Sequence, residues 1–346
     1  MESACPEPSS IRREFRGSSG YARGMARTRL YRNGTLVLEN FPADDISEHL
    51  TDPASVVWLD LYRPGPDEFA MVGEEFGIHE LALEDAAHQG QRPKLDRYST
   101  HEFLSAHAVS IAPDGADLSV SEISAFLTGQ ALITIRKDDG FPIEDVVARW
   151  DQSPDLAGHG VGFLLHGLLD HVVDGHFDAV QQLDDRIEEL EDLLFEEERR
   201  QIRTVHRRLY ALRKSLVRLR RVVLPMREVV NSLMRPGRVT DPLVPYYQDV
   251  YDHVLRAIEW TESVRDMVAS AMETNLSVQS NRMNLIMKKV TSWAAIIAVP
   301  TAITGFYGQN LPYPGFARQT GFITSTTAIV VLSALLYVVF KRKDWL

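Results

Sequence analysis

The apolar residues of this chain fall into three successive patterns. In the first, short β-branched, aromatic or alternating runs are separated by turn residues. Arg29–Arg32 and Leu36–Glu39 flank Asn33-Gly34, the dipeptide that best marks a tight hairpin. Ser55–Tyr62, Phe103–Ile111, Ile123–Thr128 and Ala131–Lys137 are further predicted strands; Pro66–Phe76, His79–Ala86 and Pro142–Trp150 are predicted helices. Residues 26–157 therefore read as a mixed α/β domain.

The second pattern is helical and covers residues 158–240. Leu183, Ile187, Leu190 and Leu194 recur at spacings of four and three. Ile202, Val205, Leu209, Leu212, Leu216, Leu219, Val223, Met226, Val230 and Leu233 continue that alternation. Such a narrow seam predicts two long helices packed in coiled-coil fashion. Pro225, inside the seam, is expected to kink or interrupt the second one. The first helix ends in an acidic run and the second opens in a basic one, which predicts mutual pairing rather than a nucleic-acid surface.

The third pattern begins after Asp241-Pro242, a helix-start signal, and fills residues 241–310. Val250, Val254, Ile258, Val264, Val268, Met272, Leu276, Met283, Ile286 and Val290 are read as one apolar stripe on a single helix of roughly 60 residues, about 90 Å long. The stripe runs without a break into a segment that carries no charge. No Asp, Glu, Lys or Arg occurs between Lys289 and Arg318, or between Arg318 and Lys341. Each gap is long enough to cross a hydrocarbon layer of about 30 Å. The predicted spans are Val290–Tyr307 and Gly321–Phe340, joined by a short loop over 311–320 and closed by a basic tail within 321–346.

Composition adds two points. The 346 residues carry a net charge of -11, so the acidic character belongs entirely to the part outside the spans. Cys5 is the sole cysteine, which excludes a disulfide framework or thiolate cluster within one chain. Residues 1–25 read as a disordered leader without the apolar core of a secretion signal, and Met25 is an alternative start. The large polar part is expected to stay in the cytoplasm. Lys288 and Lys289 precede the first span and Lys341, Arg342 and Lys343 follow the second, so both termini are expected on the cytoplasmic side. Trp345 and Tyr337 suit the inner interface.

The first span is the more polar and the better candidate for lining a path. It holds Thr291, Ser292, Thr301, Thr304, Gly305 and Gly308, with Pro300 disturbing its backbone bonding. Helix-packing contacts explain the small residues equally well, above all Ser292 and Thr304. Two spans cannot enclose a wet path, so transport requires several subunits around an axis.

The first span ends in Tyr307-Gly308-Gln309-Asn310. With RMNLIMKKV ahead of it, FKRKDWL at the end, and LEDAAHQGQRPKLD and YYQDVYDHV in the soluble part, the chain resembles the CorA family of magnesium transporters from about residue 27 onward. That resemblance implies an α+β cytoplasmic domain with long helices, a two-helix membrane hairpin and a funnel-shaped homopentamer in the plasma membrane. It implies Mg2+, and Co2+ as a further cargo, with Mg2+ also the regulatory ion and no organic cofactor. The selectivity filter would be Gly308, Gln309 and Asn310, and the pore lining Asn284, Met287, Val290, Ala298, Thr301 and Gly305. Lys288, Lys289, Lys341, Arg342 and Lys343 would ring the inner mouth, although lipid headgroups suit them as well. Glu84, Asp85 and Asp249 match inter-subunit Mg2+-sensing positions; Asp170 and Asp174 are weaker second-site candidates.

Gln309 replaces the family's usual methionine, and zinc-transporting relatives vary at this position. A ring of neutral carboxamides from Asn310 suits a hydrated Mg2+, which sheds water reluctantly, because it can bond the water shell without holding the ion. The alternative role for Asn310 is a left-handed helix cap, and Gly308 allows close backbone approach or a positive φ. Met287 and Val290 could form a constriction that gates by dewetting. Three other readings compete: an enzyme, for which no phosphate loop, metal-protease pair or nucleophile elbow is present; a membrane-anchored receptor or scaffold; and a Zn2+ transporter of the same fold.

Overall fold

The computed structural model describes residues 25–346 except 113–116, 195–198, 236–237, 310–311, 313–314 and 317; the side chains of 25, 192, 194 and 199–203 are also outside it. The expected leader and Cys5 lie outside the described residues. By their contacts the described residues form two compact units, dividing after Ala269.

The first unit contains a seven-stranded sheet in the order β2-β1-β3-β7-β6-β5-β4. Its strands are β1 (Met25–Arg32), β2 (Thr35–Glu39), β3 (Ser55–Tyr62), β4 (Lys94–Arg97), β5 (Glu102–Ile111), β6 (Leu118–Leu127) and β7 (Ala131–Arg136). Only the β3–β7 pair is parallel. Helices α1 (Pro66–Phe76), α2 (Glu80–Ala87) and α3 (Ile143–Gln152) follow the sequence expectation to within two residues. Strand β4 is the strand the hydrophobic pattern missed, because KLDR has one apolar residue and sits at the sheet edge; the one-turn helix Ile46–His49 was missed as well. At the first hairpin Asn33 and Gly34 both take positive φ, 50° and 78°. A two-residue turn that matches strand twist needs this. A Cβ on Gly34 would also come within 2.6 Å of the Gly158 backbone nitrogen.

Strand periodicity of two sorts side chains between two cores. Trp58, Leu104, Ala106, Ala125 and Leu132 join one core with α3 and the long helices; Val57, Leu59, Leu61, Phe103, Phe126 and Ile133 join the other with α1 and α2. Covered on both faces, β3 and β7 read as nearly continuous apolar runs. In the first core Trp150 meets Trp58 edge-on at 4.9 Å and donates through Nε1 to the Leu164 carbonyl at 3.1 Å. Gly167 leaves room for it: a Cβ there would lie 2.5 Å from that indole nitrogen.

The long helices are α4 (Val161–Leu194), α5 (Arg199–Leu233), α6 (Val244–Tyr307) and α7 (Gln319–Arg342). The seam lies where its spacing placed it: every predicted position from Val205 to Leu233 on α5 is buried, and so are Leu183, Ile187 and Leu190. Leu194 and Ile202 fall among the side chains outside the description.

Two expectations are corrected. Of the kink or interruption expected at Pro225, interruption does not occur, and helix α5 continues through it. Its flanks Val222, Val223, Met226, Val229 and Val230 are all buried, and this packing outweighs one missing N–H. Where the acidic run meets the basic one, residues 195–198 and the side chains of 192, 194 and 199–203 lie outside the described residues; among those described, no ion pair joins α4 to α5, and Arg220 of the basic run meets Glu262 of α6. On α6 the buried line is Val250, Val254, Ala257, Thr261, Val264, Val268, Ala271 and Asn275, while Leu276 is 61% exposed. Strict alternation of four and three selects these positions, small or polar as some are, over the bulkier Ile258 and Met272 beside them.

Candidate functional site

Helix α6 is continuous for 64 residues and ends at Tyr307, so the expected filter residues follow directly on its last turn. Gly308 donates its N–H to the Thr304 carbonyl at 2.8 Å, and Gln309 to Phe306 at 3.3 Å. Gly308 has no positive φ; what it provides is close approach, since a Cβ would lie 2.9 Å from the Thr304 carbonyl oxygen. Asn310 lies outside the described residues.

At about 100° per residue, Asn284, Met287, Val290, Ala298, Thr301, Gly305 and Gly308 fall within an arc of about 120°. All are exposed in the single chain. The less accessible positions in the span, Ser292, Ala295, Ile296, Val299, Pro300, Ile303 and Tyr307, occupy the opposite side. Ser292 is fully buried there, its hydroxyl donating to the Lys288 carbonyl at 2.8 Å, so it belongs to packing. Ala294, on the exposed arc, is a position that sequence reasoning passed over although its spacing of four from Ala298 marks it.

The helix also runs through Pro300. Thr301 and Thr304 turn their hydroxyls onto the backbone around it, Thr301 to the Ile297 carbonyl at 3.0 Å and Thr304 to the Pro300 carbonyl at 2.8 Å. Such back-bonds satisfy the hydroxyls within the helix; neither reaches the carbonyl of Ile296, four residues before Pro300, that the proline leaves without its usual N–H donor. Two helices, one ending at Tyr307 and the other Gln319–Arg342, are long and apolar enough to cross a membrane. Little of either span is buried within its own chain. Lys288, Lys289, Lys341, Arg342 and Lys343 are exposed, with the Lys341 ammonium 5.8 Å from the Tyr337 ring.

The expected regulatory acids separate into two places. Asp85 on α2 accepts from Lys94 Nζ at 2.6 Å and from Gln91 Nε2 at 3.2 Å, and Glu84 beside it is exposed. Asp249 lies elsewhere in the fold: with Asp170 and His253 it forms the metal-sized group found among the described residues, their ligand atoms within 4.8 Å of one another. Tyr247 fixes the start of α6 on α4 by donating to the Gly162 carbonyl at 2.8 Å. Asp174 joins Asp170 in gripping Arg149 rather than entering that group. His166, one turn before Asp170, is half-buried, and its pKa is lowered by burial against the opposing pull of Asp170 and Asp249. Sequence reading missed His253 and His166. Their spacing of four from Asp249 and Asp170 was the available signal.

Comparison with known proteins gives a consistent result. The family model described as CorA-like Mg2+ transporter protein matches residues 53–342. The cobalt/magnesium transport protein CorA of Thermotoga maritima is 32% identical over 302 residues, 85% of each chain. That of Methanocaldococcus jannaschii is 25% identical, over 84% of this chain and 92% of its own. The complete structure of the M. jannaschii CorA magnesium transporter superposes with a TM-score of 0.73 at 24% identity, covering 93% of this chain and 99% of that one, which establishes a shared fold. On a family match over most of its length and a relative of this identity, the chain belongs to the CorA-like Mg2+ transporter family.

Proposed function

We propose that this chain is one subunit of a homo-oligomer, a pentamer as the resemblance implies, that passes Mg2+ and Co2+ through the plasma membrane. It acts as a transporter and not as an enzyme. Both termini and the α+β part lie in the cytoplasm, and the loop over 311–320 faces outward. The observation that carries this reading is the exposed arc of α6 from Asn284 to Gly308, opposite the covered side. A single hairpin cannot enclose water, but copies arranged about an axis bring those arcs together. The relatives in Thermotoga and Methanocaldococcus are named as cobalt/magnesium transport proteins, which supports both cargoes.

In this reading Gly308, Gln309 and Asn310 form the outer mouth. Neutral carboxamides bond the water shell of the dication, and Thr301, Ala298 and Gly305 leave width for the hydrated ion. Met287 and Val290 form an apolar constriction that closes by dewetting. An interior-negative potential drives a dication inward by about 4.6 kcal/mol per 100 mV, twice the single-charge value.

Cytoplasmic Mg2+ closes the path. Glu84 and Asp85 of one subunit face Asp249 of the next, where carboxylates repel unless a dication lies between them, and bound Mg2+ shifts the population toward a closed ring. Asp170 and Asp174 provide a weaker second site.

Flux into proteoliposomes tests the reading, with Mg2+, Co2+ and Zn2+ as parallel arms. Wild-type flux of Mg2+ and Co2+, lowered at least tenfold by Asn310→Ala, is the expected result. Flux of Zn2+ alone transfers the chain to the zinc-transporting reading. No flux of any dication supports a receptor or scaffold.

A further inference from the structure

Strands β6 and β7 part at one end of the sheet. β6 pairs with β5 along its whole length, Leu118 to Leu127, but with β7 only from Ile123 onward. Past Arg136 the chain leaves the sheet, so the stretch of β6 before Ile123 has no strand on its β7 side. A cleft of about 650 Å3 is lined by this stretch, by the turn after β7 and by helix α5. Small-molecule sites run from roughly 300 to 1,000 Å3, so the size fits one.

Helix α5 contributes Arg218 and Arg221, three apart and therefore on one face. Among the described residues neither forms an ion pair, whereas Arg220 between them meets Glu262. Arg218 Nη1 reaches across to β6 and donates to the Leu118 carbonyl at 3.4 Å, leaving most of its five donors unused. From the other wall come Ser119 and Ser121, two apart on the same side of β6. Ser121 is only 6% exposed, and among the described residues its hydroxyl has no hydrogen-bond partner. Gly140 keeps the space beside that hydroxyl open, since a Cβ there would collide with Ser121 Oγ. Asp138 is the cleft's carboxylate among the described residues; its Oδ1 accepts from the Gly140 N–H at 2.9 Å.

Donor chemistry decides the ligand. Two guanidiniums against one carboxylate leave the cleft with a surplus positive charge. Guanidinium forks match the oxygens of carboxylates and phosphates. Here the donors stand on two walls, so the group between them must accept from several directions at once. A tetrahedral phosphoryl group with three terminal oxygens does so, and a planar carboxylate does not. A nearly buried hydroxyl without a partner is costly, and such a ligand would take its hydrogen. We propose that Arg218, Arg221 and Ser121 bind the phosphoryl group of a small phosphate ester, with Ser119 at the rim. Asp138 Oδ2 remains for a hydroxyl of the ester's organic part. The bound ester joins α5 to the sheet. None of these residues belongs to the exposed arc of α6 or to the regulatory acids, so the site stands apart from the transport reading.

Equilibrium dialysis of labelled orthophosphate against the full-length, detergent-solubilised protein, in buffer freed of metal by a chelator, tests the site. One phosphate per chain with half-saturation at or below about 1 mM is expected. Arg218→Gln and, separately, Arg221→Gln should each weaken binding about tenfold or more. Arg213→Gln, at an exposed position of α5 outside the cleft, should leave it unchanged. Gly140→Ala should abolish binding by filling the space beside Ser121. Phosphate-free thermal midpoints, equal for wild type and the arginine variants, confirm that the fold is kept. Competition then identifies the source of the ester. Stronger displacement of the label by dihexanoyl phosphatidic acid than by glycerol 3-phosphate assigns a lipid headgroup; equal or weaker displacement assigns a soluble ester, and both uphold the phosphoryl class. Half-saturation weaker than about 1 mM, arginine variants that bind as the wild type does, or displacement by acetate as effective as by glycerol 3-phosphate would each overturn the proposal.

Discussion

Arg136 closes a two-pronged ion pair on Asp60 inside the sheet, Nε lying 3.2 Å from each carboxylate oxygen and Nη2 2.6 Å from Oδ2. The carboxylate is almost completely buried, and Thr134 donates to it at 2.7 Å while accepting from Trp58 Nε1 at 3.1 Å. These residues sit on β3 and β7, the parallel pair at the centre of the sheet. The network lies across the one parallel junction of the sheet, which no hairpin can make.

Breaking that pair from one side leaves an uncompensated charge in a dry place. Asp60→Ala should destabilise the first unit by about 3–5 kcal/mol. The double variant Asp60→Leu/Arg136→Met should recover most of the loss. Thermal midpoints of the two proteins, compared in one detergent, check this; equal midpoints for the single and double variants would refute it.

Acid should weaken the fold through His176. The residue is fully buried, its Nε2 lies 2.7 Å from the His107 carbonyl, and burial drops its pKa from 6.5 to about 4. Between those values the unfolded chain holds a proton the folded chain lacks, so stability rises with pH. It is fully present above about 6.5 and is lost as pH falls toward 4, by about 3 kcal/mol in all. Denaturation midpoints measured across about pH 4 to 7 should show the slope, and His176→Gln should flatten it.

The helical seam separates two adjacent residues sharply. Leu209 is fully buried and Tyr210 is 60% exposed. Leu209→Ala should cost about 2–5 kcal/mol by leaving a cavity, while Tyr210→Ala should stay within about 0.5 kcal/mol. Chemical denaturation of both variants is the measurement, and comparable losses would mean the seam is out of register.

Gly305 offers a clean test of the exposed arc. A Cβ there meets nothing within 4 Å of its own chain. Gly305→Val should therefore leave expression and thermal stability of the single chain intact, yet lower ion flux about tenfold or more if copies of this arc line a hydrated path. Undiminished flux would place the arc against lipid.

Mg2+ feedback should respond to the acids separately from conduction. With Asp85→Ala or Asp249→Ala, inhibition of flux by internal Mg2+ should require about tenfold more Mg2+, with the uninhibited rate retained. Inhibition curves that coincide with the wild type would reduce these residues to surface charges. Asp85 already has Lys94 as partner at 2.6 Å, so of the two the Asp249 effect should be the larger.

Much of this protein can be read from its sequence, and the reasons are local. Period-two runs such as Ser55–Tyr62 and the Asn33-Gly34 turn set strands and a hairpin through short-range geometry. The three-and-four spacing from Val205 to Leu233 fixed a buried helical seam. The uncharged stretches around Arg318 marked two apolar helices, because hydrocarbon tolerates no other pattern. The residues of the arc from Asn284 to Gly308 were implied by the family resemblance, and helical phase gathers them on one side of α6.

The rest depended on which surfaces meet, and no local pattern records that. Only packing showed that α5 passes Pro225 unbroken, since buried neighbours on both sides compensate for one absent hydrogen bond. Only the tertiary fold chose Ala257 and Thr261 over Ile258 for the buried line of α6, where helix phase outranked side-chain size. The same fold separated Asp85 from Asp249 and brought Asp249 and His253 of α6 beside Asp170 of α4. Chain periodicity assigns each residue a face of its own helix; the partner that face receives is decided by long-range contacts, whose free energy is not written in any short stretch of sequence.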